Sequence, residues 1–119
     1  MAKNNPTIIH RNRWYWGEAA YIVVDGGLGF CKVTIDDTDV EDGIAWLGDV
    51  SVHTSARGQG LGNELLTEAE HLAVQMGAKY LYLWADPDNW PIKWYIRHGF
   101  EMGRLMTKDG MPVLVKAIK

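Results

Sequence analysis

Cysteine is nearly absent: Cys31 stands alone among 119 residues. No internal disulfide can form, and a zinc site built on several thiolates is excluded. Long apolar runs are missing too, since none reaches the ~18 residues of a membrane-spanning helix. The first twenty residues interrupt any signal-peptide core with Asn, His and Arg, so a soluble, cytoplasmic protein with no membrane partner is expected. Basic charge is not in excess: 12 Lys and Arg face 15 Asp and Glu, for a formal net charge of −3. Unspecific capture of nucleic acid is therefore not expected. His10, His71 and His98 show no metal-ligand spacing, and no metal is expected.

What is present is a globular balance, with 47% hydrophobic and 23% charged residues. The length suits one domain over residues 1–119, large enough to fold without a metal or disulfide. Six Trp and five Tyr are many for such a chain. Most are expected in the core, where large rings supply burial efficiently. The Trp14-Tyr15-Trp16 cluster is read the same way, ahead of a pocket-lining role; any exposed part leaves a homodimer contact open.

Residues 1–17 read as a short arm or edge strand. From there, Tyr21–Val24 and Phe30–Ile35 flank the turn signal Asp25-Gly26-Gly27 and predict a hairpin. Asp36, Asp37, Asp39, Glu41 and Asp42 form an acidic connection, read as a solvated loop ahead of a surface that attracts cations. Ile44 to Val52 is a largely buried strand. Leu61, Leu65, Leu66, Ala69, Leu72, Ala73 and Met76 then lie on one helical stripe, which stops at Gly77. Tyr80–Trp84 is the next strand, which makes a βαβ unit with parallel strands. A turn at Asp86–Asn89 precedes a short helix from Pro91 to Gly99. Phe100–Met106 and Pro112–Ile118 form a second hairpin around Lys108-Asp109-Gly110. The fold class is α/β in the α+β sense: about six strands and two helices, with the parallel pair embedded in antiparallel neighbours.

Between strand and helix stands Arg57-Gly58-Gln59-Gly60-Leu61-Gly62. Glycines let the backbone approach a ligand closely, and the first N–H groups of a helix lack internal partners. With the helix dipole, such a loop suits a phosphate or pyrophosphate. The P-loop pattern is absent. The dinucleotide fingerprint fails at Asn63, where Gly or Ala belongs, and the chain is too short for a doubly wound sheet.

The sequence resembles the GNAT superfamily of acetyl-CoA-dependent N-acetyltransferases. Arg57, Gly60 and Gly62 match Arg/Gln-x-x-Gly-x-Gly/Ala after a buried strand. Asn89, Trp94, Tyr95 and Gly99-Phe100 match a second signature, with Pro91 replacing the usual Ala. The resemblance covers about Tyr21 to Ile118. It implies a mostly antiparallel sheet whose central parallel pair splays, with the acetyl-CoA pantetheine arm between the parting strands. Backbone groups of Val50 and Val52 would hold the arm, Arg57, Gly58, Gln59, Gly60, Leu61 and Gly62 would cradle the pyrophosphate, and Asn89 would bond the arm from the other side.

The implied reaction is direct attack of a primary amine, on a small molecule or a protein, upon the acetyl group. The amine must first lose a proton, and a backbone N–H near Val50 could stabilise the oxyanion. Tyr95, at its place in the second signature, is the candidate general acid for the leaving thiolate. The base is left open among Asp49, His53, Asp86 and water; Asp49 lies on the central strand beside the presumed reaction centre. Family members usually carry two helices before the first hairpin, and this chain has no apolar helical stripe there. A non-catalytic acyl-CoA-binding module is the alternative.

Overall fold

The computed structural model describes residues 7–85 and 92–119. Asp86, Asn89 and Pro91, expected in a turn and at a helix start, lie outside the described residues. The described strands are β1 (Ile8–Trp14), β2 (Gly17–Val24), β3 (Gly29–Asp36), β4 (Ile44–Val52), β5 (Tyr80–Trp84), β6 (Glu101–Met106) and β7 (Pro112–Ala117). Helix α1 spans Leu61–Gln75 and α2 spans Ile92–Arg97. They form one sheet of order β1-β2-β3-β4-β5-β7-β6. Every neighbouring pair is antiparallel except β4 and β5, which are parallel.

The strands follow from alternation. In β3, Cys31, Val33 and Ile35 are buried while Phe30, Lys32 and Thr34 on the opposite face are half-buried. Ile22 and Val24 of β2, Ala45 and Leu47 of β4, and Leu81 and Leu83 of β5 extend the same apolar face. Helix α1 lays Leu61, Leu65, Leu66, Ala69, Leu72 and Ala73 on it, over β2, β3 and β4. Each fully buried leucine contributes about 1.5–3 kcal/mol relative to exposure. Tyr95 of α2 and the following Phe100 join the same core, their rings edge-to-face at 5.7 Å.

The N-terminal segment, expected as an arm or edge strand, is an edge strand exposed along its whole length. It returns into β2 through Tyr15 and Trp16 alone, with Trp14 opposite Gly17. Gly17 is required by proximity, because a Cβ there would lie 2.2 Å from the Ile35 carbonyl oxygen. The core reading of the neighbouring aromatic cluster is corrected: Trp14 is 45% exposed, Tyr15 98% and Trp16 36%. A two-residue hairpin at the sheet edge has no second layer to receive its side chains. The acidic connection behaves as a loop. Asp36 accepts from the Thr38 amide and hydroxyl, both at 2.8 Å, which hold its carboxyl below the ordinary range.

Candidate functional site

Strands β4 and β5 pair only at Ile44–Tyr80, Ala45–Leu81 and Trp46–Tyr82. Beyond Trp46 both strands continue without a ladder between them. A bulge in β4 lies just past this point: Lys32 of β3 faces Gly48 and Phe30 faces Ser51, so Asp49 and Val50 together oppose Cys31. Asp49 takes a left-handed φ of 53°, uncommon for a residue with a side chain. A bulge of this kind bends its strand and interrupts the local pairing.

The far end of β4 turns its polar groups into this gap. The His53 amide donates to the Leu28 carbonyl at 2.7 Å, and Ser51 pairs with Phe30. In an alternating antiparallel ladder, Val52 between them then directs its N–H and C=O away from β3. Arg57 Nε donates to the Val52 carbonyl at 3.3 Å, which ties the glycine loop to the strand.

A cavity of about 340 Å³ opens here, lined by Ser51, Val52, Gly58, Gly60, Gly62 and Trp94 among others. Among the described residues, no backbone amide from Gly58 to Asn63 donates to another protein group; the first bond of the helix is Glu64 N–H to the Gly60 carbonyl, 3.1 Å. No side chain caps α1. Gly58 and Gly60 both have φ of +81°, and a Cβ on either would meet no protein atom within 4 Å. The backbone is thus bared toward open space by residues that alone adopt this conformation without strain. The Arg57 guanidinium has no carboxylate partner among the described residues. A run of donors at a helix N-terminus, with a cation beside it and no acceptor, fits a diphosphate.

Tyr95 is only 6% exposed and does not line that cavity, whereas its neighbour Trp94 does. Burial first, and then the nearby Cys31, push the Tyr95 phenol up to about 12. Cys31 itself faces the β4 bulge, just past the point where the strands part. Burial alone raises the Cys31 thiol to about 12, so this thiol stays protonated and unreactive.

Asp49 stands on the other side of the bulge, 3.3 Å from Lys32 Nζ, and 65% of its side chain is exposed. It borders a second cavity of about 280 Å³ with Lys32, Thr34, Trp46, Leu47, Gly48 and Trp84. His53 is exposed and occupied locally: its Nδ1 lies 2.8 Å from Ser55 Oγ and accepts the Ser55 amide at 3.2 Å. Asn89 and Asp86, the remaining candidates, lie outside the described residues.

Sequence reasoning gave no site role to Ser51, Asn63 or Trp94 around the first cavity, and of the second cavity's lining it singled out Asp49 alone. Lys32 and Thr34 carried the one available signal, as polar residues alternating with a buried apolar face. Among the described residues there is no His, Cys, Asp and Glu grouping that could hold a metal, and no helix long and apolar enough to cross a membrane.

Known proteins supply the context. The family model of the acetyltransferase (GNAT) domain matches residues 15–102. Tetrahymena GCN5 superposes with a TM-score of 0.68 at 17% identity, over 89% of this chain and 71% of that one. Nourseothricin acetyltransferase gives 0.66 at 19% identity, over 95% of this chain and 85% of its own. The PaiA N-acetyltransferase of Thermoplasma acidophilum, solved with coenzyme A, gives 0.65 at 20% identity, over 83% of this chain and 59% of that one. None of the curated proteins matches by sequence. The splayed parallel pair, the glycine loop and the family match lead to one conclusion: this chain belongs to the GNAT acetyltransferase family, enzymes that use acetyl-CoA as acyl donor.

Proposed function

We propose that this chain is a single-domain N-acetyltransferase in which a primary amine attacks the acetyl group of acetyl-CoA directly. The observation that carries this reading is the unpartnered amide run from Gly58 to Asn63 beside a parallel pair that parts after Trp46 and Tyr82. Arg57, Gly58, Gln59, Gly60, Leu61 and Gly62 would bind the diphosphate. Backbone groups of Val50 and Val52 would align the pantetheine arm along β4, where β5 no longer competes for pairing. Asn89 is proposed to bond the arm from the opposite side.

When bound, acetyl-CoA supplies an activated thioester carbonyl; the new N–C bond forms as the C–S bond breaks. An alkyl ammonium with a pKa near 10.4 must give up a proton, at a cost of about 4.6 kcal/mol at pH 7. Asp49, exposed at the bulge, can orient the amine and pass its proton to water. Tyr95 serves the leaving sulfur. A phenol near 12 remains protonated at neutral pH, so it donates a hydrogen bond to the developing thiolate. Complete transfer from so weak an acid to a thiolate is uphill. The proton the amine releases closes the balance.

The free buried thiol of Cys31 suits a reducing compartment, and we place the reaction in the cytoplasm. The test is thiol release from acetyl-CoA against a panel of primary amines. Amine-dependent release with a matching acetylated product supports the enzyme. Tight acetyl-CoA binding without such release favours an acyl-CoA-binding module, a reading to which the direct β1–β2 turn, with no intervening helix, gives some weight.

A further inference from the structure

The second cavity has a composition the donor site does not explain. Lys32, Thr34, Trp46 and Gly48 alternate along their strands with the buried Cys31, Val33, Ala45 and Leu47, so they lie on the face of the sheet that α1 leaves uncovered. The indoles of Trp46 and Trp84 stand 5.8 Å apart, tilted by 48°, and Trp84 is 48% exposed. Beside them are one cation and one anion, Lys32 and Asp49, joined by a 3.3 Å ion pair that is open to water. At about 280 Å³ the space fits a small metabolite.

Three features mark this as more than a surface dent. Asp49 holds its left-handed φ inside a strand bulge, where a glycine would sit without strain, yet the residue there carries a carboxylate. The position is also the junction of the two cavities: Trp46 to Asp49 border one, Ser51 and Val52 border the other, and Val50 alone separates them on β4. Finally, an ion pair exposed to water contributes little to stability, so a ligand can replace it at small cost.

The charges decide the ligand class. A lone ammonium placed at Asp49 would also confront Lys32, and a lone carboxylate at Lys32 would confront Asp49. A molecule with both groups on one carbon satisfies both. We propose that the acceptor site takes a free α-amino acid with a large apolar side chain: carboxylate on Lys32, amine at Asp49 facing the bulge, side chain against Trp46 and Trp84. The assignment rests on the acetyl-transfer reading and narrows its acceptor.

The test is acetylation of L-phenylalanine, L-leucine, phenylalanine amide, phenethylamine, spermidine and a lysine-containing peptide by the intact chain. Direct binding of L-phenylalanine is read in parallel from indole fluorescence. Free amino acids are expected to exceed the amide and phenethylamine by about tenfold or more in kcat/KM. Lys32→Met should abolish that preference through KM while leaving acetyl-CoA affinity, measured by calorimetry, within twofold. Trp84→Leu should remove the fluorescence response. Better acetylation of spermidine, phenethylamine or the peptide overturns this assignment and leaves the acetyltransferase reading intact. If nothing is acetylated but L-phenylalanine binds in a Lys32-dependent way, the amino-acid site stands and the transfer reading falls. Absence of both binding and acetylation overturns the site.

Discussion

Trp46 and Tyr82 are the last residues at which β4 and β5 remain paired, and every proposed role in this protein is arranged around the point just beyond them. Past that point β4 presents main-chain groups to a gap on one side and a strained carboxylate to a second cavity on the other. A sheet that stayed paired would have no unsatisfied backbone to offer a ligand.

Gly60→Val should weaken acetyl-CoA binding while leaving the chain folded. At φ +81° the new side chain is strained by about 1–2 kcal/mol, and its Cβ enters space no protein atom occupies. Calorimetric titration is expected to show at least a tenfold loss of affinity, while thermal unfolding shifts by several degrees. Unchanged affinity would remove the glycine loop from the donor site.

Tyr95→Phe should lower kcat by about 10- to 100-fold, the worth of one hydrogen bond to a developing charge. The ring and its contacts with Trp94 and Phe100 are retained, so affinity for acetyl-CoA and unfolding temperature should change little. An unaltered kcat would leave Tyr95 a core residue.

Alkaline pH should destabilise the protein by a route that two substitutions isolate. Cys31 and Tyr95 are both raised to about 12 in the folded chain, from 9.0 and 10.0. Below about 9 both are neutral, folded or unfolded, and their contribution is fully present. As pH rises toward 12 the unfolded chain ionises first, so stability falls. Urea midpoints between pH 8 and 10.5 should drop less steeply in Cys31→Ala and Tyr95→Phe than in the parent chain. Equal slopes in all three would contradict the burial of these groups.

Phe100→Ala should destabilise by about 3–5 kcal/mol, since the ring is 1% exposed in the shared core of sheet and helices. Acceptor and donor KM should be nearly unchanged at temperatures where the variant is folded. A loss below 1 kcal/mol in chemical unfolding would show that the Phe100 ring contributes little to the core.

Much of this architecture is legible in the chain because local chemistry agrees with the fold. The alternation in β3 and the leucine stripe of α1 set type and bounds within a residue or two, and the glycine turns fix the strand ends beside them, although β2 begins at Gly17, four residues before the expected Tyr21. The β1–β2 return is illegible for a matching reason. Tyr15 and Trp16 carry no Gly, Asn or Asp turn signal, so nothing local announces that Trp14 will face Gly17.

The candidate site divides along the same line. Arg57, Gly58, Gly60 and Gly62 can be picked out from the string alone, because backbone exposure at a helix start needs residues without side chains close together in the sequence. The cavity bordered by Lys32, Trp46, Asp49 and Trp84 cannot, because its members come from three strands whose register is fixed only when the sheet assembles. Sequence determined the strands, the main helix and the anion-binding turn through periodicity and glycine placement. Tertiary structure alone decided where the parallel pair parts, which face of the sheet stays open and that Asp49 bulges beside Lys32, since these depend on pairings between residues far apart along the chain.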